Sequence, residues 1–172
     1  MDYIGEHSLF AFLGRASVAL AFSGSVATFV FYSLYYMGSK KEKNKHLSGL
    51  KSAGRLSFLL HSIGVIGTIS ILFVALFNHW FEFDYVWRHS SLEMPMKYIA
   101  SCFWEGQEGS FLLWTTWHMI LGWVLIGTAR KWDFGTLMLL AMVQMFLTSM
   151  LLGIYIGDIK IGSSPFILIR EL

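Results

Sequence analysis

The chain has a single cysteine, Cys102, and two prolines, Pro95 and Pro165. One cysteine excludes an internal disulfide, a Cys-x-x-Cys redox pair and a Cys-x-x-Cys-His haem-attachment site. Cys102 itself reads as a small apolar residue on a short helix. Charge is equally scarce: 14% of residues are charged, against about 25% in soluble domains. Charges are missing in blocks. The windows 9–37, 56–77, 110–128 and 134–157 are almost free of Asp, Glu, Lys and Arg, and each exceeds the roughly 18 residues that mark a spanning helix. Both prolines fall outside these windows, and no acid lies within them. Unbroken spans without an acid argue against an ion-coupled transporter. Bases interleaved with aromatics along a groove are also missing, so nucleic acid is not an expected partner. A cleavable signal peptide is not expected either, because Asp2 and Glu6 make the N-terminus acidic and the first window is too long for a signal core.

What is present is apolar. The chain is 55% hydrophobic, with seven Trp and fifteen Phe. In lipid the backbone must satisfy its own hydrogen bonds, so the spans are helices. The expected fold class is an all-α integral membrane protein: four transmembrane helices plus a short interfacial helix in one loop, forming a single membrane domain over 1–172. Lys40, Lys41, Lys43, Lys45, Lys51 and Arg55 cluster against the lone acid Glu42, and Arg130 and Lys131 lie beside Asp133. By the positive-inside rule both loops are cytoplasmic. Both termini and the loop 78–109 are then outside an inner (cytoplasmic) membrane.

Within the first span, Ala19, Ser23 and Ala27 recur at the four-residue spacing that lets helices pack closely in lipid. Arg15 interrupts this span near its outer end, where it can snorkel or pair with Glu6 or a loop acid. In the second span Ser57, His61, Gly64 and Thr68 share a face expected to point into the bundle. In the third, Trp114, His118, Leu121 and Leu125 share a face. His61 and His118 are the candidate haem ligands, because neutral imidazole suits iron; the plainer reading is a buried histidine bonded to a neighbouring hydroxyl or carbonyl. At about 1.5 Å per residue their depths differ by around 10 Å, which disfavours a shared haem. The fourth span carries Gln144 and Thr148 one turn apart, and Gly153-x-x-x-Gly157, read as packing features.

The loop 78–109 is patterned. Phe81, Phe83, Tyr85 and Trp87 alternate with Glu82, Asp84, Val86 and Arg88. That period of two predicts an extended segment with one aromatic face. Pro95 can open a short helix, on which Met96, Ile99, Ala100 and Phe103 oppose Lys97, Ser101 and Glu105. The stretch 95–105 is therefore read as a helix on the membrane surface. His79 and His89 read as solvated or hydrogen-bonded loop histidines. Trp104, Glu105, Gly106, Glu108, Gly109, Ser110 and Trp114 then lead into the third span. Glu105 and Glu108 would share a helical face at a helix start, where negative charge is favoured. Either they are simply N-terminal helix acids, or the turn receives a partner, with Gly106 and Gly109 admitting a close approach. Ser110 has no histidine in reach, so no catalytic residue is assigned; no metal site is assigned.

The stretch 85–114 carries a specific order: Tyr85-Val86, Ser90-Ser91, Met94-Pro95, Trp104, then Glu108-Gly109-Ser110-Phe111-Leu112-Leu113-Trp114. It resembles the first large periplasmic region of CcmF/NrfE-type cytochrome c haem lyases, and the likeness extends more loosely over the chain as the N-terminal part of that architecture. The resemblance implies a component of cytochrome c maturation that helps deliver haem and attach it to apocytochrome c at the outer face. It implies haem in the complete assembly, and as partners the remaining C-terminal part of the lyase, other maturation proteins, apocytochrome c and the lipid bilayer. Glu105 to Ser110 would be a docking or positioning element. Many members carry Gly-His where this chain has Gly14-Arg15, so no histidine role carries over there. The family's Trp-rich haem segment and its later histidine motifs have no counterpart here. Lyase activity is therefore not assigned to the chain alone, which is expected to bind no haem by itself. The alternative is a small b-type cytochrome or a quinone-binding membrane subunit.

Overall fold

A computed structural model describes residues 5–39, 46–128, 133–156 and 159–172. Its elements, in order, are α1 (Ser8–Ser39), α2 (His46–Phe77), α3 (Asp84–His89), α4 (Met96–Cys102), α5 (Gln107–Thr128), α6 (Asp133–Leu152), β1 (Ile154–Ile156), β2 (Ile159–Ile161) and a final 3-10 turn, Ile169–Glu171. Helices α1, α2, α5 and α6 are each long and apolar enough to cross a membrane. The protein is an all-α, multi-pass membrane protein; its short antiparallel hairpin, β1 with β2, is the one sheet among the described residues.

The bundle is organised around α1, which packs most extensively on α2 and next on α6; α5 closes against α6 and touches α2 lightly. Lipid gives no hydrophobic drive for helix association, so close backbone approach has to supply it. A side-chain carbon at Gly24 would sit 2.6 Å from the His61 amide nitrogen, and one at Gly64 would sit 2.5 Å from that of Ala21. These two glycines therefore set the antiparallel α1–α2 contact. Hydroxyls inside the bundle bond back to their own helices: Thr28 to the Gly24 carbonyl at 2.7 Å, Thr68 to Gly64 at 2.9 Å. That local bond satisfies them without a partner helix.

The buried stripe of α1 runs through Ala11, Gly14, Val18, Ala21, Ser25, Thr28 and Tyr32, with Gly24 buried beside Ser25. Ala19 and Ser23 are exposed and Ala27 is half-buried, so the expected packing row is not the buried one. A strict four-residue row drifts around a 3.6-residue helix, while the alternating 3 and 4 spacing of the observed stripe stays on one face. On α2 the expected face holds: Ser57, His61, Gly64 and Thr68 are buried. On the α5 face, Trp114 and Leu121 are exposed and His118 and Leu125 half-buried. Leu112, Thr115, Met119 and Gly122 are the buried side of that helix.

The fourth span is also shorter than expected. Helix α6 stops at Leu152, and Gly153 has φ +65°, the left-handed conformation that ends helices at glycine. Gly153 is thus a terminator rather than a helix-packing residue; Gly157 lies outside the described residues, as do Asp2, Lys40 to Lys45, Arg130, Lys131 and Asp158. Beyond the hairpin, the chain end folds over the bundle end where α1 begins. Phe166 and Leu168 are buried there, Phe83 bridges Leu168, and the Asp84 amide donates to the Ile167 carbonyl at 2.9 Å. Arg15 donates to the Phe166 carbonyl at 3.1–3.2 Å and pairs with Glu171, while Arg170 pairs with Glu6 at 3.0 Å. The charge in the first span is therefore neutralised by the chain's own tail.

Candidate functional site

The aromatic segment before the site is helical, not extended. Only Phe83 keeps an extended conformation, with φ −82° and ψ 124°. From Asp84 the chain turns into α3 because its charges suit a helix better than a strand. Asp84 sits in the first turn, Arg88 and His89 in the last, and Arg88 reaches Asp84 at 2.7 Å across one turn. Each placement favours the helix by a few tenths of a kcal/mol. The period-two face is consequently broken: Phe83, Tyr85 and Val86 are buried and Trp87 is exposed. Helix α4 follows Pro95 as expected but ends at Cys102. It buries Ile99 and Cys102 while leaving Met96 exposed, and Phe103 beyond its end is also buried.

Helix α3 places Tyr85 beneath the glycine turn. The Tyr85 hydroxyl shares its proton between the carbonyls of Cys102 and Phe103, 2.9 Å from each, and accepts the Gly106 amide at 3.3 Å. His89, one turn further on, lies beside the Tyr85 ring with centroids 4.6 Å apart. This pair explains the two glycines. A side-chain carbon at Gly106 would lie 2.6 Å from His89 Nε2 and 2.7 Å from the Tyr85 ring. At Gly109 it would lie 1.8 Å from the Phe103 carbonyl oxygen and 2.3 Å from the Tyr85 hydroxyl. What approaches the glycines is therefore the chain's own α3 and the preceding turn. Phe103 in turn stacks on Phe73 of α2, with centroids 4.7 Å apart and planes 11° from parallel. The turn is thereby fixed to the bundle.

Ser110 donates to the Trp104 carbonyl at 3.1 Å and its amide to Gly106 at 3.0 Å. Its hydroxyl is committed to the turn and has no base beside it. Burial holds the Tyr85 hydroxyl well above its ordinary range, with Glu108 and Glu105 adding to the shift against the Gly106 bond. It remains a neutral donor. Burial, then Glu105, also raises the Cys102 thiol; that thiol points to the Tyr98 carbonyl at 3.3 Å and the Met94 sulfur at 3.4 Å. A protonated, enclosed thiol is not a nucleophile. Among the described residues no group of three His, Cys, Asp or Glu can hold a metal ion.

Several motif residues remain presented outward. Trp104, Glu105 and Trp114 are exposed and Glu108 is half-buried. Beside them a groove of about 460 Å³ is lined by Met94, Tyr98, Ser101, Cys102, Trp104 and Glu105. A turn fastened in this way, with outward tryptophans, a carboxylate and a groove beside it, can bind and position a partner. Tyr85 and His89 were not assigned as organisers of this turn from sequence. Their spacing of four, on a segment whose charges favour a helix, is the signal that marks them.

The two candidate ligands do not come together. His61 is fully buried, its Nδ1 2.7 Å from the Ala21 carbonyl and its ring stacked near Phe58. His118 lies on the outward side of α5, its Nδ1 2.8 Å from the Trp114 carbonyl.

No protein-family model and no curated protein matches the sequence. Among solved structures, the fold matches cytochrome c heme lyase CcmF with a TM-score of 0.71 and 22% sequence identity, over 88% of this chain and 25% of that one. The chain thus has the fold of one part of CcmF and spans about a quarter of that protein's length.

Proposed function

We propose that this chain acts in cytochrome c maturation as the N-terminal part of a haem-lyase-type assembly, and that its glycine turn positions a partner during haem delivery to apocytochrome c. The observation that carries the reading is the match of the four-helix fold to CcmF across 88% of the chain, coupled to a motif whose buried members are structural and whose tryptophans face out. Its partners are then the remaining part of the lyase, other maturation proteins and apocytochrome c. Haem belongs to the complete assembly, where it supplies the group to be attached. His61 and His118 do not fit a shared haem: one is enclosed between α1 and α2, the other is half-buried on α5 outside that helix's buried side. This chain's own contribution is to dock and orient, with its acids and aromatics on one end of the bundle. Lys51 and Arg55 lie toward the opposite end, which supports an inner-membrane orientation with both termini and the 78–109 loop outside.

The test is complementation. Co-expression with the rest of the lyase should restore c-type cytochromes, and Trp104→Ala with Glu105→Ala should reduce their yield several-fold while the chain still inserts. Full maturation by the double variant would reduce the turn to a structural feature.

A further inference from the structure

Helix α5 has the smallest buried share of the four spans, and its outward side is not what lipid selects. His118 lies eleven residues into the helix counting from Gln107, about 16 Å along it at 1.5 Å per residue. That is near the middle of a hydrocarbon core of about 30 Å. Its Nδ1 lies 2.8 Å from the Trp114 carbonyl. A bond to a carbonyl needs a proton on that nitrogen, so Nε2 is left as an acceptor. The adjacent Trp117 is 62% exposed, and its indole N–H has no partner among the described residues. Nor does His118 Nε2. An indole at this depth is also misplaced for lipid, since membrane tryptophans gather at the headgroups. The contrast with Trp123 is informative: its indole nitrogen donates to Ser62 Oγ at 2.9 Å within the bundle.

A donor on the exposed Trp117 and an acceptor on the half-buried His118, both without a partner near the membrane middle, are expensive in hydrocarbon, where every polar group needs a protein partner. Ionisable groups at such depths face the interior of an assembly. We infer that the His118–Trp117 side of α5 is an interior face of the complete assembly, covered by a transmembrane helix from the lyase polypeptide beyond this part. That helix presents a hydrogen-bond donor to His118 and an acceptor to Trp117. The occupant rests on the functional reading above. The solved CcmF has three quarters of its length outside the matched region, a length of chain that has to pack against this part somewhere.

The experiment places a photo-cross-linking benzoylphenylalanine at Leu121, exposed on this face, or at Phe146, exposed on α6, in membranes that contain the complete assembly. Cross-linked peptides are identified by mass spectrometry. The expected result is a cross-link from Leu121 to a transmembrane segment of the lyase remainder, at least five-fold above that from Phe146. His118→Leu should lower it several-fold with helix content unchanged, and His118→Gln, which keeps a hydrogen-bonding side chain, should restore it. Cross-links from Phe146 alone, to a second copy of this chain, or to lipid only would overturn the assignment. So would loss of a haem absorption band in His118→Leu, which would make the residue a ligand instead. If cytochromes mature normally while Leu121 stays silent, this inference fails and the functional reading stands. Failure of complementation with the Leu121 cross-link intact has the opposite meaning.

Discussion

The Tyr85 hydroxyl lies 2.9 Å from the Phe103 carbonyl, eighteen residues along the chain, and this bond ties α3 to the glycine turn. Removing it leaves two buried carbonyls without that donor and the Gly106 amide without its acceptor. Tyr85→Phe should therefore loosen the turn by about 1–3 kcal/mol, the cost of unpaired buried polar groups. Amide hydrogen exchange over residues 102–110 is the readout, and unchanged protection there would contradict the role. The sign of the pH effect follows. Burial raises the folded Tyr85 above its ordinary value of 10.0, so the folded state keeps the proton longer than the unfolded one. Its contribution is complete below pH 10 and is lost as pH rises beyond it. Alkaline loosening of the turn should be weaker in Tyr85→Phe.

Gly109 and Gly127 make a matched pair. A side-chain carbon at Gly109 meets the Phe103 carbonyl at 1.8 Å, whereas one at Gly127 meets nothing within 4 Å. Gly109→Ala should disrupt the turn and reduce maturation more than ten-fold. Gly127→Ala, in the open part of α5, should leave maturation unchanged. Equal activity of the two would mean that the turn tolerates a shift of its backbone.

Cys102 should react slowly. Its thiol is buried and kept protonated, chiefly by burial and then by Glu105, and alkylation requires the thiolate. Iodoacetamide labelling at pH 8 in detergent should run well below that of a free thiol. Glu105→Gln should speed it by a few-fold, because only the smaller of the two causes is removed. A rate matching free cysteine would show that the α4 region opens in solution.

Much of this was legible in the sequence for one reason: spans in lipid must be long and charge-poor, and that leaves little ambiguity about where helices run. The inward face of α2 was equally readable, since Ser57, His61, Gly64 and Thr68 concentrate polar and small residues on one side. The α3 segment was misread because aromatic alternation and helical charge placement coexist in it, and the Asp84–Arg88 pair decides between them. The inward side of α5 has no such signature, because its aromatic face and its small-residue face both suit a core; contact with α6 at Thr115, and with Phe58 of α2 and Leu140 of α6 at Gly122, shows which side is inward. The Arg15–Phe166 bond joins residues 151 apart, and no local pattern announces such a pairing.

Orientation can be checked with single cysteines in a Cys102→Ser background. Ser91 is exposed in the loop after α3 and Ser48 is exposed near the start of α2. Ser91→Cys should label with an impermeant maleimide from outside intact cells, and Ser48→Cys only after lysis. The reverse pattern would invert the assembly and place the turn away from apocytochrome c.

The last prediction concerns haem in the isolated chain. Haem needs axial ligands and a flat, open platform. His61 Nε2 is buried and lacks a hydrogen-bond partner, so it is the one imidazole nitrogen in the bundle core that iron could contest. Yet its ring is fully enclosed, held by Ala21 on one nitrogen and flanked by Phe58. Gly24 brings the α1 backbone directly against it. Admitting a porphyrin there would require α1 and α2 to separate along their most extensive contact. His118 is half-buried on α5, away from the buried Thr115–Met119 side, and among the described residues no second histidine shares its face. Chain purified from haem-replete cells should therefore show no Soret band near one haem per protein. A stoichiometric band with resolved α and β components, lost in His61→Ala or His118→Ala, would instead make this a small b-type cytochrome. A band absent alone but gained with the rest of the lyase would place haem binding in the assembly.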